Sequence, residues 1–453
     1  MKHLHFVGIG GARLSGLAKL YQDRGYTITG SDTQASAAVQ NLINRGIKVF
    51  LGHDPSNIEG ADLVVYTNAV GNDNPEVKAA QNKEVSTIEG AELLGKLMTE
   101  VGRGIAIAGT HGKTTTTAMT ALVLTAAGLD PTVLIGGEID AFQGNHRSGK
   151  SDLMVVEACE FKKSFLYLRP TIELITNIDW DHPDCFPALR DVIKTFTDFV
   201  ALLPRNGVLI LAGDDPNALS LKKKFKGKTI TFGYRPEFDW EITGYRTVEP
   251  LGIVGALSYR GKSQGELRLK IPGRHNLQNA VGALAIAAEL GVNVENVFET
   301  LTEFIGVKRR FQIKGEYRGA VVVDDYAHHP GAVRATLATA RQAFKGRIWC
   351  VFQPHLYSRT KHLLDEFAGS FKDADVLVLA DIYPAREVDP GNISSRDLAA
   401  KAQKNHPDVR YLGDLEVIAD HLARHARRGD LILTMGAGNI FEVGEELLNK
   451  TVV

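Results

Sequence analysis

Residues Gly109, Thr110, His111, Gly112, Lys113, Thr114 and Thr115 follow directly on the apolar stretch Ile105, Ala106, Ile107, Ala108. Side chains of these types in this order suit a polyphosphate. The two glycines let backbone N–H groups turn inward on phosphate oxygens, the Lys113 ammonium reaches the β/γ-phosphates, and the Thr114 hydroxyl can hold Mg2+. A helix opening near Lys113 aims its positive N-terminus at the same anion. The chain is therefore expected to handle a nucleoside triphosphate. The common GxxxxGK[ST] spacing would put a glycine where Ile107 stands, so the loop must be tighter than usual. A plain polar turn between strand and helix is the alternative reading.

Two further sets of residues could meet an anion. Gly8, Ile9, Gly10 and Gly11 make a glycine-rich turn between a strand at about residues 3 to 8 and a helix from about Arg13 to Arg24. Asp32 follows about twenty residues later, where a Rossmann-like fold places a carboxylate near a ribose. The dinucleotide fingerprint is incomplete, because Arg13 occupies its third glycine position. A pyrophosphate at the helix N-terminus fits such a turn, and a ligand-free tight turn is the competing possibility. Beyond the phosphate loop, apolar runs at Leu153 to Val156 and Ile172 to Ile175 end in Glu157 and in Asn177, Asp179, Asp181 and His182. Carboxylates and a histidine at such strand ends can hold a divalent cation beside a triphosphate, which makes Thr114, Glu157 and His182 the candidate metal ligands. A solvated carboxylate and a histidine capping backbone would look the same in sequence.

These groups need a scaffold that presents strand ends along one edge, and apolar strands alternating with helices supply it. A chain of 453 residues suits two to four domains. The pattern divides it into residues 1–100, 101–308 and 309–453. The fold class is α/β in three domains: a Rossmann-like N-terminal domain, a central P-loop ATPase-type parallel sheet domain, and a C-terminal Rossmann-like doubly wound domain. In the last, strands at Ala320 to Val323, Ile348 to Phe352, Val376 to Leu379 and Leu431 to Thr434 each run into polar or glycine-rich loops. The first of these loops is Asp324, Asp325, Tyr326, Ala327, His328, His329, Pro330. His328 and His329 lack a third ligand at zinc spacing in that loop. With 52 Lys and Arg against 53 Asp and Glu the net charge is -1, which argues against a nucleic-acid or anionic membrane partner. Three cysteines without a CxxC pair point to a reducing compartment, and no apolar run approaches the roughly 18 residues of a membrane span.

Taken together, Gly109-Thr-His-Gly-Lys-Thr-Thr115, Glu157-Ala-Cys-Glu160, Asn177-Ile-Asp-Trp-Asp-His182, Gly273-Arg-His-Asn276, Arg309-Arg-Phe311 and Asp324-Asp-Tyr-Ala-His-His-Pro330 resemble the Mur ligase family in order and spacing, over essentially the whole chain. The resemblance implies ATP-driven amide formation with Mg2+. A sugar-linked carboxylate attacks the γ-phosphate to give an acyl phosphate, which an amino group then opens. Phe6-Val-Gly-Ile-Gly-Gly11 and Thr434-Met-Gly-Ala-Gly438 look most like the branch that takes UDP-N-acetylmuramate and L-alanine. By this likeness Gly109 to Thr115, His275, Asn276, Arg310 and Asp324 or Asp325 surround ATP. Gly8 to Gly11, Ser15, Asp32, His53 and Thr67 bind the UDP-sugar. Lys113, Glu157, His182, Arg310, Tyr326, His328 and Arg359 carry the reaction and the amino-acid pocket. The likeness further implies domain closure, a cytoplasmic location and a monomer or homodimer.

Four positions depart from the family pattern. Cys159 stands where aspartate is common, and a thiol is a poor ligand for Mg2+. Leu356 replaces the first arginine of a His-Arg-Tyr-Ser-Arg pattern, leaving Arg359 as that motif's cation. Arg13 interrupts the glycine-rich turn, and Trp180 sits between Asp179 and Asp181 where a smaller residue is usual. Three other readings stay open: a recycling ligase that joins the same sugar acid to a preformed tripeptide, an NAD-dependent oxidoreductase built on the first block, and a non-catalytic nucleotide-sugar sensor.

Overall fold

The structure is a computed structural model that describes residues 2–67, 70, 73–181, 185–248, 252–385 and 387–450. The chain forms two compact units, one of Met1–Tyr245, Gly255–Arg268 and His275–Glu303, the other of Arg246–Val254, Leu269–Arg274 and Phe304–Val453.

In the first unit, five parallel strands lie in the order Lys48–Leu51, Thr27–Asp32, His3–Val7, Leu63–Tyr66, Ser86–Glu89. The order reverses beside His3–Val7, so a crevice opens at the carboxyl ends of His3–Val7 and Leu63–Tyr66. A ten-stranded sheet follows, and its part that positions the phosphate loop runs Lys228–Gly233, Val208–Ala212, Pro170–Ile175, Arg103–Ala108, Leu153–Glu157, Thr132–Ile139, Gly144–Arg147. Neighbours in this part are parallel except the last pair. Strand Arg103–Ala108 is buried from Gly104 onward, as expected of a parallel strand covered on both faces.

Residues 1–100 and the central block share one apolar core. Leu14, Leu17 and Leu20 on helix Ala12–Asp23 and Leu94, Leu97 and Met98 on helix Gly90–Val101 belong to the same buried cluster as Ala106, Leu134 and Val156. Close approach of backbones makes this possible. A Cβ on Gly16 would lie 2.3 Å from Leu134 Cδ1, and one on Gly95 would lie 2.1 Å from the Tyr167 carbonyl oxygen. Polar atoms at the same junction are also paired, since Asn145 Nδ2 donates to the Ala12 carbonyl at 2.6 Å and the buried Lys19 Nζ donates to Asn145 Oδ1 at 3.4 Å.

Helix Lys113–Ala126 opens with four threonines in succession after its lysine, a poor start by propensity. The hydroxyls of Thr116, Thr117, Thr120 and Thr125 each bond the carbonyl four residues back, so the helix buries the first three without unpaired donors.

In the second unit six strands lie in the order Gln312–Tyr317, Ala320–Asp325, Leu431–Met435, Ile348–Phe352, Val376–Ala380, Val409–Gly413. All neighbours are parallel except Gln312–Tyr317 with Ala320–Asp325. The two strands beyond the four expected are the sheet's edges, half-exposed segments whose mixed polar pattern gives no apolar run to read. Among the described residues no helix is long and apolar enough to cross a membrane.

Candidate functional site

Strand Arg103–Ala108 delivers the phosphate loop between the strand ending in Glu157 and the strand ending in Ile175. Gly109 has φ +137°, and a Cβ there would lie 2.0 Å from Thr176 Oγ1. Gly112 has φ +82°, and a Cβ there would lie 2.8 Å from Asn279 Oδ1. The loop is thus pinned from two sides. Asn177 holds its middle: the Thr110 N–H donates to the Asn177 carbonyl at 3.0 Å, the His111 N–H to Asn177 Oδ1 at 2.8 Å, and Asn177 Nδ2 to the His111 carbonyl at 2.9 Å. The first bond inside the helix is Thr116 N–H to the Gly112 carbonyl, so helix geometry leaves the N–H groups of Lys113, Thr114 and Thr115 for an anion. His275 and the buried Asn276 open helix Arg274–Glu289, which reaches Gly112 through Asn279.

Lys113 Nζ lies 3.0 Å from Glu160 Oε2 and donates to the Thr110 carbonyl at 3.0 Å. Burial works against its charge, but Glu160 beside it, with Glu157, holds the ammonium above the ordinary lysine range. It therefore stays a cation. Burial pushes the Cys159 thiol up, and Glu160 adds to that against the smaller pull of Arg13 and Lys113, so the thiol stays neutral. Glu157 accepts the Gly136 N–H at 2.9 Å. A hard cation wants oxygen donors, and the Thr114 hydroxyl with the Glu157 carboxylate fits a magnesium ion that keeps several waters and phosphate oxygens. His182 lies outside the described residues, and no cluster of three His, Cys, Asp or Glu side chains suited to a metal occurs among those described.

A cavity of about 290 Å3 links the glycine-rich turn to this region. Gly11, Arg13, Thr67, Gly136, Glu157 and Cys159 are among its lining residues. The turn is closed by Asp32, whose Oδ2 accepts the Gly10 N–H at 2.8 Å. Gly8 and Ile9 donate their N–H groups to the Ser31 carbonyl at 2.8 and 3.0 Å, so Ile9, fully buried, anchors the turn from below. Ser15 is buried too, and its Oγ donates back to the Ala12 carbonyl at 3.1 Å, which gives it a structural bond inside the helix. His53 is held by a carboxylate that sequence inspection missed. Its Nδ1 lies 3.0 Å from Glu76 Oε2 and 3.1 Å from Ser31 Oγ. Glu76 is fully buried and also takes Asn57 Nδ2 at 2.6 Å, with His5 at 3.7 Å. Despite its burial, the nearby imidazole of His5 and hydrogen bonds from Ser31 and Asn57 bring its carboxyl down to about 2. The signal was present in Asn74-Pro75-Glu76, a cap followed by a first-turn proline and acid, although nothing local says that Glu76 turns inward.

In the second unit the loops at the carboxyl ends of Ala320–Asp325, Leu431–Met435 and Ile348–Phe352 gather another cluster. Asp324 pairs with Arg309 at 3.2 Å and accepts the Thr434 hydroxyl at 2.9 Å. Asp325 accepts the N–H groups of Phe311 and Ala327, each at 2.7 Å. These two buried carboxylates are engaged with their own chain. They fix the Arg309–Phe311 turn, which sets the Arg310 guanidinium 5.2 Å from the Tyr326 ring. Arg309, given no role from sequence, donates Nη2 to the Gly436 and Gly438 carbonyls at 2.7 and 3.0 Å. His328 bonds the Tyr326 carbonyl through Nδ1 at 2.8 Å and meets His355 edge-on at 5.8 Å between centroids. Arg359 Nη1 lies 3.3 Å from His355 Nδ1, and Tyr383 stacks on that imidazole. Arg310, Tyr326, His328 and Arg359 thus stand at one edge of the sheet.

Three family models match the chain in succession: "Mur ligase family, catalytic domain" over residues 3–101, "Mur ligase middle domain" over 107–287 and "Mur ligase, glutamate ligase domain" over 309–438. UDP-N-acetylmuramate--L-alanine ligase of Caldanaerobacter subterraneus subsp. tengcongensis is 44% identical over 449 residues, covering 99% of this chain and 98% of that protein. The same-named protein of Acetivibrio thermocellus is 44% identical over 448 residues, covering 99% and 96%. Among solved structures, UDP-N-acetylmuramate-alanine ligase from Thermotoga maritima superposes with a TM-score of 0.86 at 28% identity, covering 99% of this chain and 98% of that one. A murein peptide ligase from Psychrobacter arcticus gives 0.73 at 25% identity, with both chains covered in full.

Proposed function

The chain belongs to the Mur ligase family, and from that premise we propose that it joins the lactyl carboxylate of UDP-N-acetylmuramate to the amino group of L-alanine with hydrolysis of ATP to ADP and phosphate, a step in peptidoglycan precursor synthesis. The observation that carries this reading is the cavity joining the glycine-rich turn to Glu157, beside the half-buried Lys113. A nucleotide sugar seated on the turn would direct its acid along that cavity toward the phosphate loop.

The carboxylate oxygen attacks the γ-phosphorus, the bond to the β-phosphate oxygen breaks, and ADP leaves. The amine then adds to the acyl carbon, loses a proton and expels inorganic phosphate. Bringing a carboxylate onto a triphosphate is opposed by charge, so positioning and electrostatics carry the step. Lys113 and the N–H groups of Lys113 to Thr115 hold the β/γ-phosphates, with Gly109, Thr110, His111 and Gly112 shaping the cradle. Thr114 and Glu157, with His182, would hold Mg2+, which when bound screens phosphate charge. His275 and Asn276 lie by the adenine in this reading, and Arg310 contacts ATP from a turn that Asp324 and Asp325 fix. Tyr326, His328 and Arg359 form the amino-acid pocket. Gly8 to Gly11, Asp32, His53 and Thr67 seat the UDP moiety, and Ser15 supports their helix. The domain limits 1–100, 101–308 and 309–453, a cytoplasmic location and a monomeric or homodimeric state belong to the same proposal.

Phosphate release from ATP and Mg2+ with UDP-N-acetylmuramate tests it, with L-alanine, L-serine, glycine or the stem tripeptide added singly and Lys113→Ala as control. Release with alanine that the control loses supports the reading. Release with the tripeptide alone moves the chain to the recycling reaction, and no release with any amine removes the ligase reading.

A further inference from the structure

Arg13 is the second residue of helix Ala12–Asp23, whose first turn contains no acidic residue. Its half-buried side chain lines the cavity that also contains Glu157 and Cys159. It makes no hydrogen bond or ion pair with any described residue, although Glu89 and Glu157 line the same cavity. Cys159 lines the same cavity, close enough for its thiol to feel the guanidinium. A guanidinium that lines a cavity and has no protein acceptor of its own keeps its donors for an anionic ligand. Glu157, on the same cavity, already accepts the Gly136 N–H.

We propose that Arg13 is a positioning residue that grips the reacting carboxylate of the acid substrate, at the end of the cavity next to Cys159 and the phosphate loop. This rests on the ligase reading above. Lys113 offsets charge from the triphosphate side, and Arg13 does so from the sugar side, so the carboxylate reaches the γ-phosphate between two cations. The planar fork of arginine suits a carboxylate bidentately. Cys159 lines the same cavity, so an anionic side chain introduced at 159 would compete for the same guanidinium.

Calorimetric binding of UDP-N-acetylmuramate and of UDP-N-acetylglucosamine, which lacks the lactyl carboxylate, to the full chain and to Arg13→Gln, Arg13→Lys and Cys159→Asp tests the assignment. Arg13→Gln is expected to weaken the acid by roughly 10- to 100-fold and to leave the neutral sugar nucleotide unchanged. Arg13→Lys recovers part of the loss, and Cys159→Asp repeats it. In turnover, KM for the acid rises while KM for ATP does not. Equal weakening of both nucleotides overturns the proposal by placing Arg13 on the pyrophosphate, and no weakening of either overturns it outright. If the unsubstituted chain binds neither nucleotide, the ligase reading falls and this assignment falls with it. Binding by the unsubstituted chain with an unaffected Arg13→Gln sinks Arg13 alone. A thermal melt of Arg13→Gln matching the unsubstituted chain excludes misfolding as the cause.

Discussion

Lys113 and Glu160 form an ion pair at 3.0 Å in which the lysine side chain is 13% exposed and the carboxylate 2%. At that depth neither charge can lose its partner cheaply. Lys113→Ala is expected to lower kcat by at least roughly 100-fold, and it also leaves Glu160 buried alone, at about 3–5 kcal/mol of stability. Lys113→Met combined with Glu160→Gln removes both charges, so it should regain most of that stability without regaining activity. Urea unfolding alongside phosphate release separates the two effects. A double variant no more stable than Lys113→Ala would show that the pair is not what Lys113 contributes to folding.

Glu76 gives a pH-dependent prediction. Its folded carboxyl is held down at about 2, below the ordinary value of 4.5. A depressed pKa means that the stabilisation is complete above the unfolded value and is lost as pH falls from there through the folded one. The stability advantage over Glu76→Gln, on the order of 3 kcal/mol, should therefore be flat from pH 5 to 8 and shrink below pH 4.5. Chemical denaturation at a series of pH values checks this. An advantage that stays flat down to pH 3 would contradict it. His53, freed from its partner, should also raise KM for the UDP-sugar.

The phosphate loop was legible in the sequence because strand, glycines, lysine and hydroxyls are contiguous, and each element is set by local chemistry. Glu160 and Asn177 were visible as polar residues at strand ends, but their duties, on Lys113 and on the loop backbone, depend on which strands become neighbours. Arg309 and Arg310 are adjacent in sequence, and only the fold decides that Arg309 is spent on Asp324 and two glycine carbonyls. Glu76 was hidden for the same reason: its four polar neighbours come from His5, Ser31, His53 and Asn57, far apart along the chain. Edge strands escaped because half-exposed segments lack the apolar run that marked the interior ones.

Arg359 should act on the amino acid and not on ATP. Its guanidinium is steadied by His355, which is itself stacked on Tyr383, so it is presented in a fixed direction. Arg359→Ala is expected to raise KM for L-alanine by roughly 10- to 100-fold, the worth of one charged hydrogen bond. KM for ATP should stay within the error of the assay. His355→Ala should give a weaker version of the same pattern by loosening the arginine. Initial rates with each substrate varied in turn decide the matter, and a rise in KM for ATP alone would move Arg359 out of the amino-acid pocket.

Glu173 lies in the middle of strand Pro170–Ile175, opposite Ala106 on one side and Leu209 on the other. It is fully buried, and neither carboxyl oxygen has a partner. Burial drives its pKa well above 4.5, so the native chain carries a proton there that the unfolded chain releases at neutral pH. A raised carboxyl pKa contributes against stability as pH climbs: the native state is least penalised below the unfolded value and loses stability as pH rises above it. Replacing Glu173 with methionine removes both the unpaired oxygens and the bound proton. Glu173→Met is therefore expected to stabilise the chain by about 1–3 kcal/mol at neutral pH, with a smaller gain at pH 4 than at pH 7. Urea unfolding of both proteins across that range measures the difference. A gain independent of pH would mean that Glu173 does not titrate as its burial demands, and a loss would mean that the carboxyl has a partner that stabilises the strand.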